Sequence, residues 1–173
     1  SICEGAIKID ELKEFAKENK IKSFGLCDTS NLCGALEFAE KISKAGTQPI
    51  IGTQINFKIN DTTGLLPLFA LNEKGYKRII ELSSLSYLLN DQTSDPHLDI
   101  KELLNRPDGV AIFSGTINGL FGELFDKGKF TEIGELYSKL KSKYKDRFYI
   151  EIQRHGDQNE IAFEKFNLSQ SLT

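Results

Sequence analysis

Two short polar tips, each closing an apolar run, are the places in this chain most suited to chemistry. Leu26-Cys27 leads into Asp28-Thr29-Ser30-Asn31, and Gln48-Pro49-Ile50-Ile51 leads into Gly52-Thr53-Gln54. The pattern reads as a buried strand ending in an acid, a turn, a helix, and a second buried strand closed by glycine and a polar tip. Units of this kind in α/β proteins place their chemistry where strands end. A basic run, Lys139 to Arg147, is a further candidate: four lysines, an arginine and Tyr144 could meet phosphate. The same run also reads as the solvated end of a helix, with lysines favoured near its C-terminus and Glu135 four residues before Lys139.

Helices and strands alternate through most of the chain. Ile7, Ile9, Leu12, Phe15 and Ala16 make a helical stripe, followed by a buried strand from Ile21 to Cys27 and a helix from Asn31 to Ala45 that stops at Gly46. Gln48 to Ile59 is the next strand. Asn60 to Gly64 supplies turn residues, and Leu65 to Leu71 pairs back as a hairpin arm. A helix over Glu73 to Leu89 precedes the polar loop Asn90 to Pro96, where His97 reads as a surface residue. Beyond it come a short helix (Leu98 to Leu104), a strand (Gly109 to Ser114), two helices (Asn118 to Asp126 and Phe130 to Ser142), a strand (Phe148 to Ile152) and a last helix (Asn159 to Leu168). The alternation predicts an α/β fold with a mainly parallel sheet in a single domain over residues 1–173.

Composition narrows the class. With 39% hydrophobic and 27% charged residues among 173, the chain matches a soluble globular domain large enough for a real core. A net charge of −3 gives no general field for a polyanion. No apolar run approaches the roughly 20 residues of a membrane helix, and no signal peptide is legible. Cys3, Cys27 and Cys33 are odd in number and lack a C-x-x-C pair, which speaks for reduced, cytoplasmic thiols and against a structural zinc site. The start at Ser1 and the absence of Met predict a piece of a longer chain.

Four segments, in order, resemble the PHP (polymerase and histidinol phosphatase) domain of the bacterial replicative DNA polymerase III alpha subunit. Ser1 to Ala6 resembles the end of the family's opening motif, where a His-x-His strand leads to an acid and Gly. Leu26 to Gly34 resembles TDHxNLFG, Gln48 to Gln54 resembles KPIIGxE, and Tyr149 to Gly156 resembles YLEIQxHG. Asn72-Glu73-Lys74-Gly75-Tyr76 resembles the AxNxxGYxNL helix start that separates polymerase PHP domains from histidinol phosphatases. The resemblance implies a distorted seven-stranded (β/α) TIM-like barrel of the PHP type, incomplete here because the opening His-x-His and closing Asp-x-His lie outside the sequence.

In metal-binding relatives, His, Asp and Glu side chains at strand ends hold divalent ions that activate water for phosphoester hydrolysis. Carboxylate and imidazole suit this because they are deprotonated donors at neutral pH. The resemblance puts Glu4, Asp28, Thr29, Gln54, Tyr87, Thr116 and His155 on such positions. Thr29 stands where the family has His and Gln54 where it has Glu, so the set reads as degenerate, with no catalytic residue and no metal. Glu4, Asp28, Gln54, Thr116 and His155 are expected at one end of the barrel. Plainer roles compete: Asp28 as a helix cap or turn acid, Glu4 as a solvated acid near a helix N-terminus, His155 as a locally bonded strand-end histidine.

The function implied is a structural and subunit-docking module of the polymerase alpha chain. Its partners would be the rest of that chain and the proofreading exonuclease subunit, with DNA reached only through the holoenzyme and no membrane contact. The parent enzyme transfers nucleotides with Mg²⁺ held by carboxylates that this sequence lacks, and the segment needs no cofactor of its own. An active metal-dependent phosphoesterase (proofreading exonuclease or pyrophosphatase) is the alternative, and a free-standing histidinol-phosphatase-like hydrolase a weaker one.

Overall fold

The computed structural model describes residues 8–91, 93–156 and 158–171. Helix α1 (Ile9–Glu18) leads to strand β1 (Ser23–Thr29), helix α2 (Ala35–Lys44) and the long strand β2 (Gln48–Ile59). Strand β3 (Thr62–Ala70), helix α3 (Glu73–Leu88), the two-residue strand β4 (Leu98–Asp99) and helix α4 (Ile100–Asn105) follow. The rest comprises β5 (Val110–Phe113), α5 (Leu120–Asp126), α6 (Phe130–Tyr144), β6 (Phe148–Tyr149) and α7 (Gln158–Ser171).

The sheet has six strands in the path β1-β2-β3-β5-β6, with β4 beside the far end of β2. β1 runs parallel to β2, but β3 is antiparallel to both β2 and β5, and β5 is parallel to β6. One expectation therefore needs correction. The sheet is mixed rather than mainly parallel, because the β2–β3 hairpin reverses the chain in its middle. Among the described residues it is also open: β1 and β6 end the path without pairing to each other, so the expected barrel, incomplete in this sequence, is represented here by a six-stranded sheet that does not close.

Local details follow from residue chemistry. The hairpin turn is only Asn60-Asp61, flanked by the Ile59–Thr62 pair, with Asn60 at φ 53°. Asparagine tolerates that left-handed conformation. Gly64, expected in the turn, lies inside β3 instead, where a Cβ would come within 2.5 Å of the Leu120 backbone; its smallness lets α5 pack on the hairpin. Strand β1 is half-buried rather than buried, as fits the outer strand of the path. The stretch after Tyr149 leaves the ladder early, so β6 is shorter than its apolar pattern suggests.

The main core lies between the sheet and α3 to α6, around Phe57, Leu66, Leu68, Ile79, Phe121 and Leu140. A second cluster, Ala16, Phe38 and Ile42 with Phe24, Leu26 and Ile51, seats α1 and α2 against β1 and β2. At the start of α3 the Asn72 side chain accepts from the Gly75 N–H at 3.1 Å, a helix N-cap. Gly75 rests directly on the backbone of Gly109, which accepts from the Leu71 N–H at 2.9 Å.

Candidate functional site

The β1–β2 register sets Asp28 opposite Thr53 and Thr29 opposite Gln54, which brings the two polar tips side by side. Thr53, fully buried, donates from Oγ1 to the Asp28 carbonyl at 2.8 Å and locks that register. The chain then turns sharply. Ser30 sits at φ 57°, held by its N–H to the Gln54 carbonyl at 2.8 Å and by the Tyr87 hydroxyl, which donates to its carbonyl at 2.9 Å. The Asn31 side chain donates to the Thr29 carbonyl and accepts from the Cys33 N–H. Asp28 is 5% exposed, and its Oδ2 accepts from the Gly34 N–H at 3.3 Å, where α2 begins. This carboxylate supports the turn and the helix start, the plainer of its two sequence readings. Tyr87, half-exposed on α3, likewise latches α3 to the β1 turn through its hydroxyl.

Beside these tips lies a cleft of about 400 Å³, with polar walls from Cys27, Gln54, Thr116, Asn118, Glu151 and Gln153. Apolar side chains, among them Leu65, Pro67, Phe69 and Phe113, line it as well. Thr116 accepts through Oγ1 from the Asn118 N–H at 3.1 Å, which shapes the loop after β5. Glu151 is anchored by its N–H, which donates to Oγ of the buried Ser114 at 2.9 Å. Burial, reinforced by the carboxylates of Glu151 and Asp28, pushes the Cys27 thiol up to about 12. It is therefore a neutral thiol at physiological pH and no nucleophile.

Of the expected positions, Gln54 and Thr116 line this cleft together, while Asp28, Thr29 and Tyr87 gather at the adjoining turn. His155 does not line the cleft. Its ring Nδ1 lies 2.7 Å from Glu160 Oε1, its N–H donates to Glu160 Oε2 at 2.8 Å, and its side chain is 69% exposed. A neighbouring pair, Arg154 with Glu164, fastens the same loop to α7. Glu4 lies outside the described residues. Glu151 and Gln153 are cleft residues that the sequence reading passed over; their signal was polar residues at alternate positions after a strand, one facing the cleft each time. Among the described residues no three His, Cys, Asp or Glu side chains come together as a group able to hold a metal ion. The cleft can offer hydrogen bonds from amides, a hydroxyl and a carboxylate beside apolar side chains.

The family model of the PHP domain matches residues 1–155. The chain belongs to the PHP domain family. Its relatives include DNA polymerase III subunit alpha from Caulobacter vibrioides (strain NA1000 / CB15N), 35% identical over 177 residues, covering 95% of this chain and 15% of that protein. The Rickettsia felis protein of the same name is 36% identical over 157 residues, covering 90% of this chain and 13% of its own length. The chain thus spans about 15% of the length of such relatives or less. A solved structure from Bifidobacterium adolescentis ATCC 15703, assigned to the metal-dependent phosphoesterases, superposes with a TM-score of 0.56 at 11% identity, covering 96% of this chain and 80% of that one. That likeness concerns the fold alone. Within the PHP domain, no described helix is long and apolar enough to cross a membrane.

Proposed function

We propose that this PHP domain is a metal-depleted structural module of a DNA polymerase III alpha-type chain, supporting the polymerase and docking its proofreading exonuclease subunit. The observation that carries the reading is the donor set of the cleft. Where metal-binding relatives are expected to bring imidazole and carboxylate, Gln54 and Thr116 bring an amide and a hydroxyl, and Thr29 at the adjoining turn brings another hydroxyl. Asp28 is engaged by the start of α2, and His155 by Glu160 of α7. The described residues therefore do not fit a divalent metal centre, and no hydrolytic step is derived through one. Nucleotide transfer, with its Mg²⁺, belongs in this reading to other parts of such a polymerase, and contact with DNA runs through the assembled enzyme in the cytoplasm.

Calorimetric titration of the full chain with Mn²⁺ or Zn²⁺ tests the reading. Losing one ligand or its support costs about 10–100-fold in affinity, so the loss of two leaves binding no tighter than roughly millimolar. No phosphatase turnover is expected with either ion. Stoichiometric micromolar binding that Asp28→Ala abolishes would overturn the proposal and favour an active phosphoesterase.

A further inference from the structure

Away from the cleft, and sharing no residue with it, a surface pocket of about 320 Å³ is lined by Lys74, Lys77, Arg78, Glu81, Arg106 and Asp108. The first four occupy one face of α3 at helical spacing; the last two come from the segment between α4 and β5. The pocket holds four cations and two carboxylates in a chain whose net charge is −3. Three of those cations fall within the first six residues of α3, the end where the helix dipole is already positive and where basic side chains are disfavoured. Local pairing offsets this only in part. Lys77 pairs with Glu73 at 2.6 Å, and Glu81 is shared, one oxygen to Arg78 at 3.0 Å and the other to Arg106. Lys74 has no ion pair among the described residues.

A second observation points the same way. Arg78 is 6% exposed, and its Nη2 donates to the Glu102 carbonyl at 2.5 Å, which fixes the guanidinium in the pocket lining. Its Nε–H is buried and meets no acceptor. A buried donor without a partner is costly, and here it belongs to a rigid cation in the wall of a cavity. The exposed Arg106 faces the same space with a planar fork suited to phosphate oxygens.

We propose that this pocket binds a phosphate group, with Arg106 and Lys74 as its direct contacts and Arg78 as the fixed positive charge behind them. Glu81 orients the two arginines. The phosphate can come from a small phosphate ester or from a nucleic-acid backbone, and the two differ in how binding responds to length and salt.

The test titrates the full chain at low ionic strength with inorganic phosphate, a nucleoside monophosphate and a short single-stranded oligonucleotide, reading heat and thermal midpoint. Saturable binding is expected, weakened at least tenfold by Arg106→Gln and by Lys74→Gln, with the ligand-free midpoint of both exposed-site variants unchanged. A nucleic-acid ligand would bind more tightly as the oligonucleotide, with a steep loss of affinity in salt whose slope falls by about one on removing Lys74. A small ester would bind as well as the oligonucleotide. Absence of saturable binding by all three probes, or binding that both variants leave intact, would refute the site. Neither result bears on metal binding at the cleft, so the two proposals stand or fall separately.

Discussion

Two glycine-to-alanine changes in helices should act in opposite directions, and the contrast tests why the Asn72 to Tyr76 segment has its sequence. In a helix, Ala is better than Gly by roughly 0.5–1 kcal/mol. At Gly134, within α6, an added Cβ meets nothing within 4 Å. Gly134→Ala should therefore stabilise by that amount, raising the melting temperature by about 1–4 °C at about 2–4 °C per kcal/mol. At Gly75 the same atom would stand 1.7 Å from the Gly109 carbonyl oxygen and 2.4 Å from its carbon. Reaching ordinary contact at 3.4 Å needs a shift of about 1.7 Å between the start of α3 and the entry to β5. Overpacking of this kind costs about 1–3 kcal/mol, and the Leu71 N–H to Gly109 bond is worth about 1 kcal/mol. Against the propensity gain, Gly75→Ala should lose about 1–3.5 kcal/mol and about 2–14 °C. Thermal and urea unfolding of both variants with the parent chain would measure this. An unchanged or raised midpoint for Gly75→Ala would show that the α3–β5 contact is not what the glycine serves.

Two further outcomes follow from single side chains. Cys27, with a folded-state value of about 12 against an ordinary 9.0, keeps its proton where the unfolded chain loses it. Its contribution is intact below pH 9 and is lost as pH rises from 9 towards 12, by at most about 4 kcal/mol; Cys27→Ala should flatten the alkaline limb of a stability–pH curve, and iodoacetamide at pH 8 should label the exposed Cys33 before Cys27. In the basic run, Arg147 donates to the Val110 carbonyl at 3.0 Å and to that of Pro107; Arg147→Met should cost about 1.5–3 kcal/mol, while the exposed Lys143→Met stays within about 0.5 kcal/mol, and equal effects would contradict a structural role for the arginine.

What the sequence disclosed divides along the range of the interactions involved. The helix start after Asn72, the reversal at Asn60 and the stop at Gly46 rest on bonds spanning a few residues, and local chemistry suffices to place them. Asp28 was ambiguous for the same reason: the N–H that it accepts belongs to Gly34, six residues on, a partner visible only once the turn at Ser30 is built. Tyr87 bonds across 57 residues and Arg147 across 37, distances over which pattern says nothing. The sheet is mixed rather than mainly parallel because strand pairing across the whole path, unlike strand existence, is set by contacts distant in sequence. Glu151 shows the same limit from the other side. As one residue of a strand-end run it looked like part of a motif, and only the packing of β6 beside β5 turns it to the cleft, near Cys27. His155, in the same run and with the more suggestive side chain, is drawn away by Glu160. Residue type therefore identified which side chains were capable of chemistry, and long-range pairing decided which of them share a space. In this PHP domain that space is lined by Cys27, Gln54, Thr116, Asn118 and Gln153 beside Glu151, side chains that only the pairing of β1 with β2 and of β5 with β6 brings together.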